Sequence, residues 1–242
     1  QTTGGIQNNR TMVIQDIVIS WPRNCDYPLW RQFIRDNRER FNEVIVAFTE
    51  TNQGEDYRQF IRQAMFEDHV QFIEPQLLTS GQDWRNIAVN RALLHSYNAP
   101  WIWFTEQDFV VDPGEEYWKT LEAAADLDYK VMAWYEGPRF HPASIHMRRE
   151  VLNATQKDFS IIPDKGDHFI KIYKDLQNAQ IPIYRIEKHA RHLNGLSHNM
   201  TLIALGEAPN YKPEEIRKWL CDSLTVEVPL DDRFVRLAKS AL

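Results

Sequence analysis

The chain has 242 residues, 43% of them hydrophobic and 26% charged, with a formal net charge of −6. This is ordinary globular composition, and the negative charge disfavours non-specific binding to nucleic acid or anionic membrane. No apolar run approaches the roughly 20 residues a membrane-spanning helix needs, and two distant cysteines, Cys25 and Cys221, supply neither a disulfide framework nor a thiolate metal site. The expectation is a soluble, cytoplasmic protein with no membrane insertion.

Hydrophobic periodicity alternates along the first half. "MVIQDIVIS" (12–20) predicts a buried strand, and "PLWRQFIRDNRERF" (28–41) an amphipathic helix. "EVIVAF" (43–48) predicts a second strand, "GEDYRQFIRQAMFE" (54–67) a second helix and "VQFIE" (70–74) a short third strand. The run "DWRNIAVNRALLHSY" (83–97) predicts a helix with Asp83 as its cap, and "WIWFT" (101–105) the fourth strand. Strands alternating with helices predict crossover units, hence an α/β fold with a mostly parallel central sheet flanked by helices.

The second half is less regular. "EEYWKTLEAAADL" (115–127) predicts a helix and "YKVMAWYE" (129–136) a strand, followed by an irregular aromatic and basic stretch, "GPRFHPASIHMRREVL" (137–152). "DHFIKIYKDLQNAQ" (167–180) predicts a helix, "IPIYRIE" (181–187) a strand, and "KHARHLNGLSHN" (188–199) a loop rich in His and Gly. No linker divides the chain. Residues 1–11 are expected to be a flexible segment and 12–242 one domain, with residues 12–111 as a nucleotide-binding-like half and 112–242 as a substrate-facing half.

The fourth strand raises a chemical question. Its apolar run ends in Glu106-Gln107-Asp108 and resumes at Phe109-Val110-Val111. Buried carboxylates are costly unless a cation or donor meets them, and in open α/β sheets ligands gather beyond the carboxyl ends of the strands. A hard cation such as Mn²⁺ or Mg²⁺, bridging the acids to substrate phosphates, suits that position. A loop with two solvated acids is the plain alternative.

Order and spacing together resemble the GT-A glycosyltransferases, and glycosyltransferase family 2 in particular. The family's helix Asn, strand and acidic DxD motif are matched by "AVNRALLHSYNAPWIWFTEQD", and its later acidic helix start by "MRREVLNATQKDFSIIPDKGDHFIKIYKDLQNAQIPIYRI". The likeness runs in order over residues 14 to 200. It implies a GT-A-like single domain and a metal-dependent, inverting transfer of a hexosyl-type sugar. The donor would be a nucleotide-diphosphate sugar, UDP-linked in the first instance, and the acceptor a glycan or other hydroxyl-bearing molecule.

The resemblance also implies roles for particular residues. Asp108 and a His of the late loop would hold the metal. Among His168, His189, His192 and His198, the turn-forming segment around Gly195 and Ser197 favours His198. Trp21, Glu50, Arg85 and Glu106 would line the donor, with Arg85 replacing the family Arg that is Val89 here, and Glu106 facing a ribose hydroxyl or the metal. Asp167 would be the catalytic base, with Asp164 as its rival and helix capping as its plain alternative. Trp134, Tyr135 and Arg139 would meet the acceptor by stacking and charge pairing, Trp134 serving equally well as core.

Two other readings stay open. One is a non-catalytic GT-A-like module that binds a nucleotide sugar or glycan, since Glu-Gln-Asp departs from the family's DxD. The other is a glycosyltransferase acting on modified DNA bases, with Arg139, Arg148, Arg149, Lys188 and Arg191 forming a basic groove.

Overall fold

The computed structural model describes residues 13–20, 33–47, 66–73, 84–96, 99–106, 109–136, 139–160, 169–192 and 214. The strands are β1 (Gln15–Ser20), β2 (Phe41–Ala47), β3 (Val70–Ile73), β4 (Trp101–Glu106), β5 (Phe109–Val111), β6 (Val131–Glu136), β7 (Arg139–Arg148), β8 (Ile183–Ile186) and β9 (Ala190–His192). The helices are α1 (Trp84–Leu93), α2 (Glu116–Asp126), α3 (Arg149–Ala154) and α4 (Ile170–Asn178). No helix among the described residues is long and apolar enough to cross a membrane.

Seven strands form one sheet in the order β3-β2-β1-β4-β7-β6-β8. β1 pairs in parallel with both β2 and β4, β2 with β3, and β6 with β8. Only β7 runs against the rest, antiparallel to β4 and to β6. The expected mostly parallel sheet is therefore present, and it is continuous across both halves of the chain. Among the described residues, strands from both sides of position 111 share this sheet.

Both faces of the sheet are covered, which explains the near-continuous apolar runs of β1, β2 and β4. On one face Ile17, Ile19, Val44, Val46, Trp101 and Trp103 pack with Tyr117, Trp118 and Leu121 of α2. On the other, Val18, Ile45, Ile102 and Phe104 pack with Ala88, Val89 and Ala92 of α1 and with Ile172 and Leu176 of α4. Trp103 is 1% exposed, and its ring meets Trp118 edge-on at 6.0 Å and stacks on His146 at 4.7 Å. Truncating a buried aromatic of this kind costs about 3–5 kcal/mol.

Charge fastens the amino edge of the sheet. The carboxylate of Asp16, at the start of β1, is fully buried. It accepts from Arg149 Nη2 at 2.8 Å, Ser96 Oγ at 2.6 Å and Asn42 Nδ2 at 2.9 Å. Arg149 also donates to the carbonyls of Ala99 and Ser96. Because Ser96 follows α1, this knot sets the carboxyl end of α1 at the amino edge of the sheet. Its first turn, with Arg85, therefore lies at the carboxyl edge.

Three sequence expectations are corrected. The helix expected over 28–41 is described at 33–36 but stops short of its predicted end, because Asn37 turns, Arg38–Arg40 form a 3-10 turn and Phe41 opens β2. The stretch expected to be irregular is the ten-residue strand β7 followed by α3. Pro142 concealed it, since Pro ordinarily argues against an interior strand. Here the register breaks around it: Ala133 pairs with Ile145 and Tyr135 with Phe140, so Trp134 alone on β6 spans residues 141–144 of β7. That is a bulge, where the missing N–H costs no ladder bond. The third correction is β9, three residues of ladder within the expected His-rich loop.

Candidate functional site

The site is built where β4 runs out. Glu106 is the last residue of β4 and pairs in register with Ser20, the last residue of β1, which itself pairs with Ala47 at the end of β2. Three parallel strands thus terminate along one edge, the position at which open α/β sheets bind ligands. After Glu106 the chain leaves the main sheet. β5 pairs antiparallel with β9, Phe109 opposite His192. Arg191 holds Asp112 at 2.9 Å, and the amide of Asp112 donates to the carbonyl of His189, which extends that ladder.

This small ribbon carries His192 to the end of β4. His192 Nε2 lies 3.4 Å from Glu106 Oε2, with the two side chains only 7% and 16% exposed. His141 arrives from β7, its ring 4.5 Å from that of His192. Ligand-type atoms of Glu106, His141 and His192 all lie within 4.8 Å of one another. Two donors each about 2.1 Å from one ion sit roughly 3 to 3.5 Å apart, so the Glu106–His192 pair has the spacing of a shared cation. A mixed carboxylate and imidazole set suits Mn²⁺ or a later divalent ion better than Mg²⁺, which takes oxygen donors.

The surroundings hold these groups in place. Thr105 Oγ1 donates to the carbonyl of Ala143 at 3.1 Å, tying the end of β4 to the bulge of β7. The amide of Ala143 donates to His141 Nδ1 at 3.1 Å. Behind them Phe109 packs edge-on against Trp134 at 5.6 Å. The indole nitrogen of Trp134 is buried with no hydrogen-bond partner among the described residues.

A second constellation frames the segment that contains Asp164 and Asp167. Asn90 Nδ2 donates to the Asn86 carbonyl and Oδ1, and to the Lys157 carbonyl at 3.2 Å, while Asn86 Oδ1 receives the Phe159 amide at 2.9 Å. The Asn singled out from sequence thus clamps the chain just before that segment. Across the segment, Lys171 Nζ donates to Asp158 Oδ2 at 2.6 Å and also to Ser160 Oγ. Partial burial opposes ionisation of Asp158, but the hydrogen bonds from Lys171 and Ser160 outweigh it and hold the carboxyl below its ordinary range. The helix itself begins at Ile170, with Phe169 as its cap in a left-handed conformation at φ 82°.

Of the residues singled out from sequence, Glu106 stands in the site and Trp134 beside it. Trp134 and Tyr135, expected together, project to opposite faces, as successive strand residues must. Tyr135 lies under Arg185, 4.8 Å from its ring, on the side of α4, and burial followed by the neighbouring Tyr173 raises its pKa. The backbones of Arg85 and Arg139 lie in α1 and β7. Trp21, Glu50, Asp108, Asp167 and His198 lie outside the described residues, as do the side chains of Arg85 and Arg139. His192, an alternative to His198 in sequence, meets Glu106. His141 lies in the stretch expected to be irregular, and only the antiparallel return of β7 beside β4 brings it to the acid.

No protein-family model matches the chain, and no curated protein matches it in sequence. Solved structures do. A mannosyltransferase from Pyrobaculum calidifontis, in complex with GDP-Man and Mn²⁺, is similar over 93% of this chain and 69% of its own, at 12% identity and a TM-score of 0.50. Glucosyl-3-phosphoglycerate synthase from Mycobacterium tuberculosis, in complex with phosphoglyceric acid, is similar over 81% of each chain, at 12% identity and a TM-score of 0.51. The same enzyme with Mn²⁺, UDP and glucosyl-3-phosphoglycerate gives 11% identity and a TM-score of 0.51. The chain has the GT-A fold.

Proposed function

We propose that this protein is a metal-dependent, inverting glycosyltransferase that moves a hexosyl-type sugar from a nucleotide-diphosphate sugar to an acceptor hydroxyl. The observation that carries this reading is the meeting of Glu106 and His192, 3.4 Å apart, at the carboxyl edge of a GT-A sheet. A plain solvated loop would leave the acid exposed rather than 16% accessible beside an imidazole. The similar mannosyltransferase and synthase were solved with Mn²⁺ and with GDP-Man or UDP, which makes those nucleotides the first donors to try.

In this reading Glu106, His192 and Asp108, on the two-residue link between β4 and β5, hold the cation, with His198 as the further late-loop candidate. When bound, the cation neutralises charge on the departing nucleotide diphosphate. Arg85, in the first turn of α1, supplies a fixed positive charge beside the same edge. Trp21 and Glu50, which follow β1 and β2 in sequence, contact the nucleoside. Asp167 accepts the proton of the acceptor hydroxyl as that oxygen attacks the sugar carbon. The acceptor lies towards Trp134 and Arg139, on the other side of Glu106 from the strands that hold the donor.

A thermal-shift screen of UDP- and GDP-sugars with and without Mn²⁺ tests the reading. A bound ligand at 100 times its dissociation constant stabilises by about 2.7 kcal/mol. One nucleotide sugar should raise the melting temperature, and only with the metal present. A flat response to every donor in both conditions contradicts the proposal.

A further inference from the structure

The chain on either side of residues 161–168 is fastened to one spot. Phe159 and Phe169 are 0% and 2% exposed, and their ring centroids stand 5.0 Å apart. Both rings also meet Phe104, at 5.6 and 5.1 Å. Phe104 comes two residues before Glu106 in β4, so the two project from the same face of the sheet. The two ends of the segment are thus brought together one step behind the acid of the proposed metal site. Asn86 and Asn90 of α1 hold the first end through the Phe159 amide and the Lys157 carbonyl.

A second fastening crosses from one end to the other. Lys171, in the first turn of α4, donates from Nζ to Asp158 Oδ2 at 2.6 Å and to Ser160 Oγ. Asp158 Oδ1 accepts from the Ser160 amide at 3.0 Å and from the Ser160 hydroxyl. The Lys171 and Asp158 side chains are 36% and 33% exposed, and an ion pair so open to water adds little to global stability. Its effect is local, because it joins the ends of a short segment whose closure costs conformational entropy.

We infer that Lys171, Asp158 and Ser160 are positioning residues, whose clasp acts with the Phe104–Phe159–Phe169 cluster to hold the base of the transfer reaction beside Glu106. This rests on the proposed glycosyl transfer with Asp167 as base. Asp167 precedes Phe169 by two residues, a reach of about 7 Å at most, whereas Asp164 precedes it by five, a reach of up to about 18 Å. The clasp therefore restrains Asp167 far more tightly than Asp164. A base needs hydrogen-bond reach of the acceptor hydroxyl, and a misplacement of about 1 Å can cost about 10²-fold in rate. The acceptor proton passes to Asp167, and Lys171 exchanges none.

Two measurements on the full chain test this. Hydrogen–deuterium exchange in peptides covering 158–168 should rise about threefold or more in Lys171→Met, with β1 and β4 unchanged. Turnover is read as nucleoside diphosphate released to water, with Mn²⁺, from the GDP- or UDP-sugar that responds in the thermal-shift screen. Lys171→Met and Asp158→Ala should each lower kcat about tenfold or more, with KM for the donor within about twofold of wild type. In an Asp167→Asn background Lys171→Met should cost less than about twofold, but in Asp164→Asn the full factor. A clasp that merely stabilised the fold would slow both backgrounds alike, so equal losses overturn the inference, as does unchanged exchange at 158–168. Exchange needs no turnover, so it decides even where the Asp167→Asn rate is too low to resolve. Wild type that releases no nucleoside diphosphate removes the proposed function and the positioning role together. Release by wild type with full kcat in Lys171→Met removes only the positioning role.

Discussion

Glu106 and His192 come from distant parts of the chain, yet their Oε2 and Nε2 atoms stand 3.4 Å apart because β5 and β9 form a private two-stranded ribbon beyond the main sheet. Neither residue is placed by its own neighbours in sequence. His192→Ala should therefore weaken Mn²⁺ binding by an order of magnitude or more, with the melting temperature of the metal-free protein little changed. Binding measured by calorimetry or by electron paramagnetic resonance checks this. Mg²⁺ should bind more weakly than Mn²⁺ to the wild type, because imidazole is a poor ligand for it, and should gain on Mn²⁺ when His192 is replaced by Asp.

The proposed base, Asp167, should be separable from the donor site. Asp167→Asn preserves shape but cannot accept a proton, and losing a positioned general base costs about 10²- to 10⁴-fold in rate. Single-turnover transfer should fall by that range while donor affinity stays near wild type. Transfer at near wild-type rate would make Asp164 the next candidate.

How legible was all this in the sequence? The parallel half of the sheet was, because strands buried on both faces read as apolar runs, and β1, β2, β3 and β4 each fall within a few residues of expectation. β7 was not. Its inward residues include Ser144 and His146, both fully buried, whose polarity is answered by Trp103, Tyr117 and Gln15 from other elements. A single-sequence pattern cannot anticipate such long-range partners, so the strand looked irregular. The same limit hid His141 and β9. The acid at the end of β4 was legible as an anomaly, since a carboxylate closing an apolar run calls for a partner, but which His answers it depends on strand pairing.

That buried polar core predicts a pH response. His146 is fully buried, with Nδ1 2.8 Å from Gln15 Oε1 and Nε2 2.7 Å from the Tyr117 hydroxyl. Desolvation pushes its pKa well below 6.5 in the folded protein, while the unfolded chain protonates near about 6.5. Below that pH the unfolded state binds more protons, so this contribution to stability is present above about 6.5 and lost as pH falls, at up to about 1.4 kcal/mol per pH unit. Denaturant melts of wild type and His146→Gln between pH 7 and 5 should diverge by that slope. Parallel curves would mean His146 stays solvated or already charged.

At the opposite edge, Asp16→Ala leaves Arg149 facing Ser96 without its carboxylate. Removing one partner of a buried ion pair costs about 3–5 kcal/mol, and urea unfolding should register it. A loss below about 1 kcal/mol would mean that the bonds from Arg149 to the Ala99 and Ser96 carbonyls suffice to hold α1 and α3 to the sheet.

The central claim is metal-dependent sugar transfer at Glu106 and His192, and release of nucleoside diphosphate from a nucleotide sugar tests it most directly. Wild type with Mn²⁺ should release UDP or GDP from at least one donor. Chelation should abolish the release, and Glu106→Gln and His192→Ala should each lower it by an order of magnitude or more without unfolding the chain. Release that persists undiminished under chelation, or in both variants, contradicts the account.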